Sequence, residues 1–371
     1  MNNFRITVKI GSNVLTRPDG TLDVTRMSAL VDQVAALHKQ GIQIILVSSG
    51  AVASGRSELK GRIAADKLDT VAQRQLFSAV GQAKLINKYY ELFRDHSIAC
   101  GQVLTTKESF GSRRHYLNQK NCMEVMLQEG VIPIVNENDT TSVTELMFTD
   151  NDELSGLIAT MMSAHLVILL SNIDGIYTGN PSDPQSRLIP VISDDTDISQ
   201  YIQTNKSSFG RGGMMTKHRI ARKVAHEGIE VIISNGKRDG ILLQLVHINP
   251  ETGRNEIDPH VRCTRFKADC HEASNVKKWI AHSEDFSKGN LYLNDGAVQA
   301  LMGQKAASIL PVGVTRIDGE FEEDDIVSIC AASDGKRLGV GKVSCSSAEA
   351  LDVIGKKGQK ALVHYDYLVL F

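Results

Sequence analysis

The chain has 371 residues, 42% of them hydrophobic, and a formal net charge of −2 at pH 7. That length favours two or three domains, and the near-neutral balance excludes bulk attraction to nucleic acid or to an anionic membrane. No charged-then-apolar leader opens the sequence and no apolar run reaches the roughly 18 residues of a membrane span, so a soluble cytoplasmic protein is expected.

In chain order, "RITVKI" (5–10) reads as a strand. "VTRMSALVDQVAALHKQG" (24–41) sets Leu30, Val31, Val34 and Leu37 on one helical stripe and stops at a glycine. "IQIILVSS" (42–49) is nearly all apolar, as in the middle of a parallel sheet. Further strands are expected at 98–106, 131–137, 165–172 and 229–235, with helices at 69–94, 114–129, 151–164 and 214–227. Such alternation predicts an α/β fold, a mainly parallel sheet sandwiched by helices, over residues 1–250. A polar stretch with weak periodicity follows and reads as a linker over 251–280. Short strand-like runs between turns then predict a small, mostly β domain over 281–371.

The six cysteines lack C-x-x-C spacing and read as reduced thiols. His260, Cys263, Cys270 and His271 fit no usual zinc pattern, and no metal site is expected.

Ligands of open α/β sheets sit beyond the carboxyl ends of the strands. The residues at those ends are Lys9-Ile10-Gly11-Ser12-Asn13, Ser48-Ser49-Gly50-Ala51, Asn136-Glu137-Asn138-Asp139 and Ser171-Asn172. Thr149-Asp150-Asn151-Asp152 opens a helix, and "GRGGMMTK" (210–217) leads into another. The latter is not the phosphate loop Gly-x-x-x-x-Gly-Lys-Ser/Thr, because Thr216 precedes the lysine. Free N–H groups at helix starts suit anions, and Lys9 and Lys217 add full positive charges. The carboxylates and amides suit a polar substrate, and the carboxylates could also steer the lysines or a Mg²⁺ ion. Together these features point to phosphoryl transfer, in which catalysis is mostly positioning and charge neutralisation.

"VKIGSNVLT", "LVSSGAVASGR", "VIPIVNENDT", "TDNDELSGLIA" and "GRGGMMTKHRIA" closely resemble the glutamate-phosphorylating branch of the amino acid kinase family, over essentially the whole chain. "LNDGAVQAL", "SILPVGVTRIDGEF" and "HYDYLVL" resemble a PUA domain. The resemblance implies ATP and Mg²⁺ as cofactors and L-glutamate as substrate, giving γ-glutamyl phosphate on the way to proline. It implies that Lys9 and Lys217 contact the ATP phosphates and that Asp150 holds those lysines. Ser49, Asp139 and Asn151 would bind glutamate, with Asn136 close by. Gly11, Gly50, Ser171, Asn172 and the run Arg211, Gly212, Gly213, Met214, Met215, Thr216, Lys217 would surround ATP. Feedback inhibition by proline, a homo-oligomer and handover to a glutamyl phosphate reductase are implied as well.

Two alternatives stay open. Family members acting on aspartate, N-acetylglutamate or a nucleotide share the lysines and glycine loops, while "NEND", "TDNDELS" and the PUA tail favour free glutamate. A PUA domain also suggests RNA binding. Against it, residues 275–371 hold 11 Lys and Arg and 13 Asp and Glu, whereas phosphate backbones are gripped by a basic face.

Overall fold

The computed structural model describes residues 4–64, 67–141, 151–193, 214–269, 280, 287–303 and 307–371. The chain divides into two compact units, Met1–Thr106 with Asn121–Glu272, and Lys107–Lys120 with Ala273–Phe371.

The first unit is built on an eight-stranded sheet of order β3-β4-β2-β1-β5-β7-β8-β6. Its strands are β1 (Arg5–Ile10), β2 (Gln43–Ser48), β3 (Cys100–Thr105), β4 (Ile132–Glu137), β5 (Leu166–Ser171), β6 (Val191–Ile192), β7 (Glu230–Asn235) and β8 (Cys263–Phe266). The strands expected at 5–10, 42–49, 98–106, 131–137, 165–172 and 229–235 are all present. All pairings are parallel except β7 with β8.

The central strands are buried along nearly their whole length because both faces are covered. Ile6, Val8, Ile10, Leu166, Ile168 and Leu170 pack with the helices Val24–Lys39 and Thr70–Arg94. Val167, Leu169, Val231 and Ile233 pack with the helix Met214–His226. Strand alternation therefore turns Lys9, like the buried Thr7, away from the first core.

β8 changes the expected boundary. Cys263–Phe266 runs antiparallel to β7 and contributes Phe266 to the second core. The segment 251–272, read as the start of a linker, is thus part of the first unit. β8 escapes pattern reading because "CTRF" is four residues long and neither continuously apolar nor cleanly alternating.

The second unit carries a five-stranded sheet of order β10-β9-β11-β12-β13. The strands are β9 (Gly289–Leu293), β10 (Val314–Gly319), β11 (Ile326–Ala331), β12 (Arg337–Val343) and β13 (Val363–Leu370). Leu291, Leu293, Val327, Ile329, Val343 and Val363 form its core. The mostly β domain expected from 281 is therefore present, joined by the segment Lys107–Lys120 that sequence pattern does not link to it.

Candidate active site

Register alone gathers the site. Ile10 pairs with Ser48 on one side and Leu170 on the other, and Asn136 pairs with Leu104, so several strands end along one edge. Gly11 follows β1 and donates its N–H to the Leu170 carbonyl at 3.1 Å. A Cβ on Gly11 would lie 3.1 Å from that oxygen and 3.5 Å from Lys9 Nζ, so the glycine keeps the backbone close to the ammonium. Gly50 follows β2 with φ of +106°, a left-handed conformation that suits glycine, and starts the helix Ala51–Leu59.

At the centre is Asp152. It lies in the first turn of the helix Asn151–Met161, where a carboxylate complements the helix dipole. Lys9 Nζ is 2.6 Å from its Oδ1 and Lys217 Nζ is 2.5 Å from its Oδ2. All three side chains are buried, with Asp152 fully enclosed and Lys9 and Lys217 only 5% and 8% exposed. Burial pushes the Asp152 carboxyl up, but the two ammonium groups outweigh it and hold the group below its ordinary range. Lys217 sits near the N-terminus of its helix, where the dipole disfavours a cation, and Asp152 offsets that cost.

In the structure the carboxylate between the two lysines is that of Asp152, a contact not expected from sequence. Asp150 lies outside the described residues, as do Arg211, Gly212 and Gly213. Met214, Met215, Thr216 and Lys217 begin the helix Met214–His226.

A second group of residues adjoins the first through Asn151. Its side-chain amide donates to Ser49 Oγ at 2.9 Å and to Asn136 Oδ1 at 3.0 Å. Asn136 Oδ1 also accepts from the Glu137 N–H at 3.0 Å, while Asn136 Nδ2 donates to Gln82 Oε1 at 2.8 Å. Ser49, Asn136 and Asn151, expected together from sequence, are therefore brought together. Asp139 stands just beyond β4, 5% exposed, gripped by Arg74 Nε at 2.8 Å and by Ser78 Oγ at 3.1 Å. Arg74 Nη2 also reaches Glu137 Oε2 at 3.0 Å.

Arg74, Ser78 and Gln82 are not among the residues read from sequence. They recur every four residues on the helix Thr70–Arg94 and so share one face. Gly55 and Gly81 seat that helix against Ala51–Leu59. A Cβ on Gly55 would lie 1.8 Å from the Phe77 carbonyl oxygen, and one on Gly81 would lie 1.8 Å from that of Ala51. A four-residue polar spacing that encloses a glycine within an amphipathic helix is the signal that could have found them.

At the end of β5, Ser171 pairs in register with Asn235 of β7, and Asn172 follows. Beyond them Asp174 accepts from Arg238 through Nε at 2.7 Å and Nη2 at 2.8 Å, from Asn235 at 3.2 Å, and lies 3.2 Å from Arg262 Nε. Burial pushes the Asp174 carboxyl up, yet the Arg238 and Asn235 hydrogen bonds keep it below its usual range. Cys263 lies in β8, where burial raises its thiol to about 11, while Cys270 and His271 are outside the described residues. Among the described residues no three His, Cys, Asp or Glu side chains converge as a metal site.

Two cations joined by one buried carboxylate, beside amides and a fixed second carboxylate, suit the joining of two anionic reactants. The chain belongs to the amino acid kinase family, whose profile matches residues 5–235, and a PUA domain profile matches residues 289–365. Among similar proteins, the glutamate 5-kinase of Bacteroides thetaiotaomicron is 65% identical over 366 residues, covering 99% of this chain and 98% of its own. That of Chlorobaculum tepidum is 45% identical over 373 residues, covering 99% and 97%. The glutamate 5-kinase of Trichlorobacter lovleyi is 36% identical over 379 residues, covering 99% and 96%.

Proposed function

We propose that this chain transfers the γ-phosphoryl group of ATP to the γ-carboxylate of L-glutamate, giving γ-glutamyl phosphate and ADP. The observation that carries this reading is the Lys9–Asp152–Lys217 bridge, adjoined by the Asn151–Ser49–Asn136 cluster. Lys9 and Lys217 neutralise the phosphate oxygens and the charge that develops in transfer, and Asp152 keeps both ammonium groups converged. Ser49, Asn136, Asn151 and Asp139 receive the amino acid, with the Asp139 carboxylate directed at its ammonium. Gly11, Gly50 and the 211–217 segment approach the nucleotide phosphates, and Ser171-Asn172 borders the nucleotide. Mg²⁺ arrives with ATP, whose phosphate oxygens supply much of its coordination.

No general base is needed, because the γ-carboxylate is already ionised at neutral pH. The protein's work is to hold two anions together, and removing one such donor costs on the order of 10²–10³ in rate. A cytoplasmic place at the start of proline synthesis, inhibition by proline, assembly into a homo-oligomer and handover to a glutamyl phosphate reductase complete the proposal. For the location, the supporting observation is that no helix among the described residues is long and apolar enough to cross a membrane.

The test is incubation with ATP, Mg²⁺ and L-glutamate in hydroxylamine, which traps acyl phosphates as hydroxamates. Parallel reactions contain aspartate or N-acetylglutamate. Glutamyl hydroxamate that disappears in Lys217→Ala is the expected result. Product from another acid and none from glutamate would overturn the substrate.

A further inference from the structure

We propose that Arg74 is a positioning residue for the amino-acid half of the reaction, an inference that rests on the reading of Asp139 as the acceptor of the substrate's ammonium. The geometry separates the site into two sets of contacts. Asp152 and the two lysines form the set that faces phosphate. Arg74 and Ser78 reach only into the other, in their side-chain contacts described above.

A buried carboxylate is a useful ammonium receptor only if its oxygens are fixed. Asp139 Oδ1 takes Arg74 through Nε at 2.8 Å and Nη2 at 2.6 Å, and Oδ2 takes the Ser78 hydroxyl at 3.1 Å. A carboxylate oxygen has two lone-pair sites, so these contacts orient the group and leave acceptor capacity for an incoming N–H. The same guanidinium bridges to Glu137 Oε2 at 3.0 Å and so ties the end of β4 to the residue just beyond it. Only a planar fork spans two carboxylates in this way; a lysine offers a point charge on a flexible stem.

The brace is also anchored. Its helix is held to Ala51–Leu59 by the Gly55 and Gly81 contacts, and Ala51–Leu59 begins immediately after Ser49-Gly50. Gln82, eight residues on from Arg74, holds Asn136 and through it Asn151. One helix face thus sets the orientation of both the carboxylate and the amides expected to receive the amino acid.

The test uses the full chain and the hydroxamate assay, with glutamate and ATP varied separately. Variants are Arg74→Gln, Arg74→Lys and the milder Ser78→Ala. Arg74→Gln should raise the KM for glutamate by roughly tenfold to a hundredfold, the range expected when a binding group is misplaced by about an ångström. The KM for ATP should stay within about twofold, and Arg74→Lys should fall between wild type and Arg74→Gln. Ser78→Ala should raise the glutamate KM several-fold, with the lost buried hydrogen bond lowering the melting temperature by only a few degrees. The proposal is overturned if both KM values move together, if kcat alone falls, or if Arg74→Gln and Ser78→Ala leave the glutamate KM within twofold. A wild type active with another amino acid and silent with glutamate overturns the substrate reading, and the same KM split is then read with that acid. A wild type silent with every acid overturns both.

Discussion

Asp152→Asn exchanges one oxygen for an amide and leaves the shape of the site nearly unchanged, while removing the negative charge between two buried ammonium groups. At 2.5 and 2.6 Å and an effective dielectric near 20, each attraction is roughly 6 kcal/mol before solvation is counted. Much of that offsets the cost of burying three charges, so the net loss is smaller. Breaking a buried ion pair from one side typically costs about 3–5 kcal/mol. Urea unfolding of the variant should show a loss of that size. In the hydroxamate assay kcat should fall by at least about 10²-fold, because neither lysine is held where charge develops. The stability loss should also depend on pH. The Asp152 carboxyl lies below its ordinary range in the folded chain. Its contribution is therefore complete above the unfolded value near 4 and is lost as pH falls through the lower folded value. The gap between wild type and variant should be constant from pH 6 to 8 and close in strong acid. A variant within about 0.5 kcal/mol of wild type, or within threefold in kcat, would refute the bridge.

Gly81→Ala would drive a methyl group to 1.8 Å from the Ala51 carbonyl oxygen. Overpacking of this kind costs about 1–3 kcal/mol, so a lower melting temperature with a weakened glutamate KM is expected, and an unchanged melting temperature would contradict the helix contact. Burial raises the thiols of Cys100 and Cys263 to about 11, whereas Cys122 is exposed. Alkylation of the native protein at pH 8, read by peptide mass mapping, should therefore modify Cys122 well before those two; equal rates would contradict the packing of β3 and β8. In the second unit Ser346 and Glu349 form a capping box on the helix Ser347–Val353. Ser346→Ala should cost about 0.5–2 kcal/mol, measured by thermal unfolding, without altering the KM for glutamate.

The central strands were legible because β2, β4, β5 and β7 carry short apolar runs and β1 alternates Ile6, Val8 and Ile10 with polar residues. β6 and β8 were not. A two-residue strand has no periodicity, and β8 earns its place through pairing with β7 and the burial of Phe266 rather than through its own pattern. In the site, the strand-end rule brought Lys9, Ser49 and Asn136 to one edge from sequence alone. It did not single out Asp152, whose contact with both lysines depends on how its helix meets the sheet rather than on spacing along the chain. It also passed over Arg74 and Ser78, which lie within a long helix and come to the site by tertiary packing.

Asp152 joins a residue nine positions from the start of the chain to one more than two hundred positions later. In a chain growing from its N-terminus, Lys9 and Asp152 are available long before Lys217, and contacts of such sequence separation form late because loop closure precedes their reward. A chain interrupted before residue 217 therefore has half a charge bridge, with Asp152 paired to Lys9 alone. Completion of the bridge thus requires most of the first unit, which runs to Glu272.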